Sequence, residues 1–197
     1  MGYRMGIRVK WLAAPLAAAL ALGATPSRAA DVGPMLKVGW DTGRTLLLQV
    51  PFADGSSQQI RVNDGLYGGG GIAVVNDTRT LEAELSISYK AKLVTQDDGQ
   101  LDWNRIPIDL LGFYRTSNYR FGGGLTYHIY PRLRETGAGQ TYVEFENALG
   151  VVGQIDMLFG ERGSIGLRFL KLEYKAKNID YKAKSDGIGV TASISFW

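Results

Sequence analysis

The sequence predicts an all-β fold: a closed, antiparallel, eight-stranded up-and-down barrel beginning after residue 29. Three observations carry this. Apolar and polar residues alternate along most of residues 30–197, with no sustained helical period. Eight such segments are joined alternately by tight turns and by longer polar connections. Gly (26 residues) and aromatic residues (11%) are frequent, as a tightly coiled sheet with aromatic ends requires.

Residues 1–29 read as a cleaved signal peptide. Arg4, Arg8 and Lys10 form a basic start, residues 11–23 are apolar, and Ser27-Arg28-Ala29 places small residues for cleavage after Ala29. The apolar run is shorter than the ~20 residues that a spanning helix needs. The expected organisation is a leader over 1–29 and one barrel domain over 30–197. The formal charge of +3 does not describe the mature chain. Residues 1–30 hold four bases and no acid, so removing them from the 22 bases leaves 18 against 19 acids. A chain so near neutrality has no field that would draw it to nucleic acid. With no Cys there is no disulfide framework, thiolate metal site or thiol nucleophile.

The segments are 36–50, 60–75, 80–93, 102–115, 119–133, 141–159, 164–177 and 187–197. Short turns fall at Asn76–Thr78, Thr116–Asn118 and Gly160–Gly163. The longer connections are 51–59, 94–100, 134–140 and 178–186, which hold residues of turn and loop type. In the third segment Leu81, Ala83, Leu85, Ile87, Tyr89 and Ala91 oppose Glu82, Glu84, Ser86, Ser88, Lys90 and Lys92. In the fifth, Tyr119, Phe121, Leu125, Tyr127 and Ile129 oppose Arg120, Thr126, His128 and Arg132. In the sixth, Val143, Phe145, Leu149, Val151, Ile155 and Met157 oppose Glu144, Glu146, Gln154 and Asp156. Lipid cannot hydrogen-bond a backbone, so a sheet with its apolar face in lipid must close. The charged face then lines an interior that side chains can fill. In the seventh segment simple alternation would aim Lys171, Glu173 and Lys175 outward. A bulge at Phe169-Leu170 is expected there, returning them inward. Aromatic residues near the Thr116–Asn118 turn (Phe113, Tyr114, Tyr119, Phe121) and near the loop ends (Tyr89, Trp103, Tyr130, Tyr142, Tyr174) read as two interfacial girdles.

With its leader, eight strands and aromatic end Ser193-Ile194-Ser195-Phe196-Trp197, the chain resembles the small outer-membrane β-barrel proteins of Gram-negative bacteria. The resemblance implies residence in the cell outer membrane with both mature termini periplasmic. It also implies a monomer in contact with outer-membrane lipid and lipopolysaccharide, and recognition of the strand ending Phe196-Trp197 by the barrel-assembly machinery.

The candidate site is a polar network in the lumen: Glu82, Glu84, Lys90, Lys92, Arg105, Asp109, Arg120, His128, Arg132, Glu144, Glu146, Asp156 and Arg168. Enclosed charges must pair, because an unpaired one costs several kcal/mol. A plug of salt bridges and a narrow charged conduit both satisfy that demand. No catalytic, cofactor-binding or metal-ligating set is expected. Asp97-Asp98 lacks the six to eight oxygens that Ca²⁺ takes. The expected role is non-enzymatic: membrane integrity, surface interaction or a narrow solute path. Two alternatives stand beside it. One is a lipid A-modifying enzyme like the eight-stranded lipid A deacylases, whose site is a lipid-facing His, a Ser two residues later and a Glu on the next strand. Here Tyr130 follows His128 at that spacing, and His128 shares a face with Arg120. The other is a small hydrophobic-solute channel of the outer membrane protein W kind, which needs a lateral opening or an apolar lumen.

Overall fold

Period-two alternation leaves a strand two unlike faces, and closing the sheet is the way to bury one and satisfy every backbone group. The computed structural model describes residues 30–51, 57–96, 99–137, 142–178 and 180–197. The leader of 1–29 and Asp97-Asp98 lie outside the described residues. Among the described residues eleven strands form: β1 (Asp31–Gly43), β2 (Leu46–Pro51), β3 (Ser57–Arg61), β4 (Gly65–Val75), β5 (Leu81–Gln96), β6 (Gly99–Arg115), β7 (Tyr119–Gly137), β8 (Tyr142–Glu144), β9 (Ala148–Phe159), β10 (Gly163–Lys175) and β11 (Lys182–Ser195). In space the order is β6-β5-β4-β1-β11-β10-β9-β7-β8, and the β6–β7 pairing closes the ring. All pairings are antiparallel. With β8 continuing β9, this is a closed eight-stranded up-and-down barrel, and β2–β3 form a separate hairpin in the first long connection.

Some element boundaries differ from the sequence reading. The segment expected over 36–50 ends as a barrel strand at Gly43 and gives its remainder to the hairpin. The described residues of the 94–100 connection are strand, with Gln96 paired to Gly99. The tight turns stand as expected. At one of them the Asn76 side-chain oxygen accepts the backbone N–H groups of Thr80 (2.8 Å) and Leu81 (2.9 Å).

The outer surface falls into two zones. Near the tight turns it is apolar. On β11 the outward row is Ile188, Val190, Ala192 and Ile194, continued by Phe196 just past its end; on β10 it is Ile165, Leu167 and Phe169; on β9 it runs from Leu149 to Phe159. Most strands keep an apolar outer face for about 9–11 residues, the length a spanning β-strand requires. Toward the long connections the same face turns polar: Asp186, Lys184 and Lys182 on β11; Lys171, Glu173 and Lys175 on β10; Arg132 and Arg134 on β7; Asn104 and Asp102 on β6. We call these the belt and the crown.

The interior inverts in step. Behind the belt it is charged, and behind the crown it is a hydrophobic core of Ile60, Val62, Val94, Leu101, Trp103, Leu133, Phe145, Leu170, Leu172 and Tyr174. The crown is built like a water-soluble barrel, apolar within and charged without.

This inversion corrects three expectations. No bulge interrupts β10, whose ladders with β9 and β11 run without a register shift, so Lys171, Glu173 and Lys175 face outward, above the belt. Their charges meet water there, and the penalty for a base in lipid does not arise. Trp103, Phe113 and Tyr174 point inward, at 0%, 3% and 0% exposure, and belong to no girdle. Exposed aromatics do edge the belt, with Tyr114, Tyr119, Phe121, Phe159 and Phe196 at the turn end and Trp40, Tyr89, Tyr127 and Tyr130 below the crown. Finally, Val143 and Phe145 turn toward the core while Glu144 and Glu146 turn out.

Candidate functional site

The lumen is lined by every second residue of the eight strands. Among the described residues, twelve buried charged side chains lie there or at its edge: Asp41, Asp64, Glu82, Glu84, Asp109 and Asp156 against Lys37, Lys90, Arg105, Arg115, Arg120 and Arg168. The two signs balance, as an enclosed set must. They sort into three tiers.

At the turn end, Arg120 is the hub. The β7–β9 register sets it opposite Asp156, and its Nε donates to the Asp156 carboxylate at 2.7 Å. Its Nη1 donates to Glu82 and Glu84, each at 2.6 Å, and its Nη2 to the hydroxyls of Ser164 (2.9 Å) and Ser193 (3.1 Å). The guanidinium stacks over the Phe113 ring, 4.2 Å from its centroid. Phe113 has room because Gly122 lies across the ladder; a Cβ there would come within 2.5 Å of the ring. Arg115 and Arg120 are directly cross-strand, a destabilising like-charge pair by itself. Glu82 resolves it by giving one carboxylate oxygen to each arginine.

In the middle tier Asp109 accepts from Lys37 Nζ at 3.0 Å and from Arg168 Nη2 at 2.9 Å. Lys37 also reaches the Ser86 hydroxyl at 3.4 Å, and Ser86 is the cross-strand partner of Asp109.

The third tier ties the first connection into the barrel. Lys90 forms an ion pair with Asp41 and donates to the Asn63 side-chain oxygen at 3.0 Å. Arg105 Nη2 donates to the backbone carbonyls of Asn63 (2.9 Å) and Asp64 (2.7 Å). The Asp64 carboxylate accepts from the Thr42 hydroxyl (2.8 Å) and from the backbone N–H groups of Gly43 (3.2 Å) and Arg61 (3.1 Å). Asn63 packs against Gly43 and Gly187, where any side chain would collide with it. Above, Trp103 donates from Nε1 to the Val62 carbonyl at 2.9 Å and meets Phe145 and Tyr174 edge to face, with centroids 5.2 and 5.4 Å away. Ile60 and Val62–Asp64 thus sit inside the ring, bolted down by polar groups below and covered by an apolar lid, while Arg61 points out.

Of the candidate residues, Glu82, Glu84, Lys90, Arg105, Asp109, Arg120, His128, Asp156 and Arg168 lie buried inside. Four do not join the network. Arg132, Glu144 and Glu146 lie on the outer surface of the crown, and Lys92 is only half-buried. The cause for Arg132 is a bulge that the sequence reading did not anticipate. Between Ile106↔Ile129 and Asn104↔Arg132 the ladder sets one residue of β6 against Tyr130 and Pro131. Tyr130 takes a left-handed φ of 52° there, and the alternation of β7 changes phase, carrying Arg132 and Arg134 out and Pro131 and Leu133 in. Pro131 was the available signal, since a proline within a paired strand marks an edge or a bulge. For Glu144 and Glu146 the cause is the break between β8 and β9, which switches phase in the same way.

The sequence reading also missed Lys37, Asp41, Asp64 and Arg115. Lys37 and Asp41 were visible as polar positions alternating with Leu36, Val38 and Trp40. His128 is buried, its Nδ1 2.5 Å from the Tyr174 hydroxyl. It faces the lumen and not the belt, while the next-strand carboxylates Glu144 and Glu146 lie outside the ring. A lipid-facing deacylase triad has no counterpart in that arrangement. Among the described residues no three His, Asp or Glu side chains converge on a metal-sized site.

On the crown, Lys177 donates to Glu144 at 2.8 Å and the Tyr142 hydroxyl donates to it at 2.6 Å. The Lys177 ammonium first, and the tyrosine hydroxyl second, hold the Glu144 carboxyl below its ordinary range. The same contacts push Tyr142 and Lys177 up.

No protein-family model matches the chain, and no curated protein matches it. Among solved structures it is similar to Neisserial surface protein A, with 10% identity and a TM-score of 0.48 over 86% of this chain and 100% of that one. It is also similar to outer membrane protein AlkL in lipid bilayers (11%, 0.36, over 87% and 94%). A third likeness is to the outer membrane channel DcaP of Acinetobacter baumannii (13%, 0.33, over 83% and 59%). No residue role is transferred from these likenesses. By its own closed ring of eight strands and its apolar belt, the chain has the architecture of the small outer-membrane β-barrels.

Proposed function

We propose that the protein is an integral outer-membrane barrel with a sealed lumen, non-enzymatic, which acts through its outer surface as a structural and surface-contact element. The observation that carries this is the lumen itself. Three tiers of paired charge, the inserted residues Val62–Asp64 and the Trp103–Phe145–Tyr174 lid occupy the path that a solute would take. In this reading residues 1–29 are the leader, the tight turns and both mature termini face the periplasm, and the crown stands above the outer leaflet. The monomer is inserted through its C-terminal strand, ending Phe196-Trp197. The belt supports the membrane assignment, because an apolar exterior of this height is stable only against lipid.

The test is single-channel recording in planar phosphatidylcholine bilayers. The wild-type barrel is expected to insert without conductance steps. Resolved, ohmic steps from the wild-type protein would overturn the sealed-lumen reading. Lipid A from cells overproducing the chain is expected to keep its mass; loss of an acyl chain that His128→Ala abolishes would overturn the non-enzymatic reading.

A further inference from the structure

The border of belt and crown carries a groove of about 480 Å³ on the outside of β9, β10, β11 and β1. Its floor is apolar. Val151, Phe169 and Ile188 are the last outward apolar residues but one or the last on their strands, and they adjoin one another through the ladder. Between them Gly153, paired with Phe169, leaves the wall hollow: a Cβ there would meet nothing within 4 Å. The rim is charged. Lys171 stands on one side and Arg44 and Arg61 on the other, with Asp186 between. The Arg44 backbone N–H donates to the Asp186 carbonyl (3.1 Å), which fixes the Arg44 backbone at the rim, and Arg61 Nη1 donates to the Gly43 carbonyl (3.2 Å), which holds the Arg61 guanidinium there. Among the described residues none of the three cations is ion-paired.

A cationic rim directly above an apolar slot, at the height where lipid headgroups lie, matches one ligand chemistry. It fits an amphiphile with anionic phosphates at the head and acyl chains running down the belt. We propose that this groove binds a phosphorylated glycolipid of the outer leaflet. The phosphates would be held between Lys171 and the Arg44–Arg61 pair, and one acyl chain would lie over Gly153 between Val151 and Phe169. The inference rests on the outer-membrane reading above, since only then does the crown border meet that leaflet. Cations on two sides of the slot suit a head with two phosphates better than a single phosphodiester.

The test is native mass spectrometry of the refolded barrel in a neutral detergent. The probes are bis-phosphorylated lipid A, phosphatidylglycerol and inorganic phosphate. Lipid A is expected to be retained one to one, at least tenfold more tightly than phosphatidylglycerol, and not displaced by millimolar inorganic phosphate. R44Q/R61Q/K171Q is expected to weaken retention at least tenfold. G153L fills the slot, leaves the rim intact, and is expected to do the same. The crown control K182Q/K184Q is expected to bind as the wild type does. Equal retention by wild type and the triple variant, an equal loss in the control, or equal retention of phosphatidylglycerol would overturn the proposal. Insertion of the same preparation into phosphatidylcholine vesicles separates the two readings. A protein that fails to insert overturns the membrane assignment, and one that inserts but shows no lipid A preference overturns the groove alone.

Discussion

Replacing Arg120 by Met removes the cation that three carboxylates share while keeping most of the side chain's volume. Glu82 retains Arg115, and Asp156 retains the Gln154 amide at 2.8 Å, but Glu84 loses its one ion-pair partner. At least one carboxylate is then buried without a counter-charge, which costs about 3–5 kcal/mol. The lost stacking over Phe113 adds about 0.5–2 kcal/mol. The assay is reversible urea unfolding of the refolded barrel in phosphatidylcholine vesicles, followed by tryptophan fluorescence and extrapolated linearly. R120M is expected to lose at least ~3 kcal/mol. R120M/E84Q is expected to recover part of it, with a coupling energy of about 0.5–3 kcal/mol, because the second change removes the orphaned charge. A loss below about 1 kcal/mol, the scale of an exposed pair, would refute the claim that these charges are a desolvated network. So would strictly additive effects of the two substitutions.

Other consequences concern the lid, the belt and the crown. Trp103→Ala deletes a fully buried indole and leaves the Val62 carbonyl without its donor; it is expected to cost about 3–5 kcal/mol in the same assay and to produce conductance bursts in bilayers. Leu125→Arg places a base on the outer face near the middle of the belt, at an expected cost of about 2–4 kcal/mol. Glu173→Arg, on the crown, is expected to change stability by less than ~1 kcal/mol. On the crown surface the Glu144 carboxyl is expected to titrate below the ordinary carboxylate value of about 4.3 in ¹³C NMR spectra. Being depressed, the carboxylate keeps its ties to Lys177 and Tyr142 above that value and loses them as pH falls through its own lower one. Lys177→Met should raise the Glu144 midpoint, and Glu144→Gln should lower that of Tyr142.

Much of this architecture is legible in the residues, and the part that is not has a common cause. Alternation tells which residues share a face; it does not tell which face is inside. Behind the belt the ambiguity is harmless, because charge marks the lumen on β5 and on the first half of β7. In the crown the same rule misleads. The chain continues without a phase change through β10, so Lys171 and Glu173 stay outside because Phe169 is outside. Reading charge as lumen there required a bulge at Phe169-Leu170 that does not exist. On β7 the opposite happened: Tyr130 bulges, and continued alternation wrongly kept Arg132 inside. The lid was illegible for a further reason. Val62, Asn63 and Asp64 were expected inside a strand over 60–75, but β4 begins only at Gly65 and they form the link before it; no periodicity connects them with Trp103 and Arg105, about 40 residues away in the chain.

One continuous barrel presents an apolar belt below and a charged crown above, with its lumen chemistry inverted to match. The absence of native cysteine makes single-cysteine scanning direct. Each of Leu125, Ile155, Leu167 and Val190 in the belt, and Glu173, Lys175 and Lys184 in the crown, is replaced by Cys in the refolded barrel in phosphatidylcholine vesicles. Each variant is then exposed to a membrane-impermeant maleimide. Rapid labelling is expected at 173, 175 and 184, and protection at 125, 155, 167 and 190 until detergent is added. Labelling of the belt positions as fast as the crown positions, or protection of 173 and 175, would contradict it.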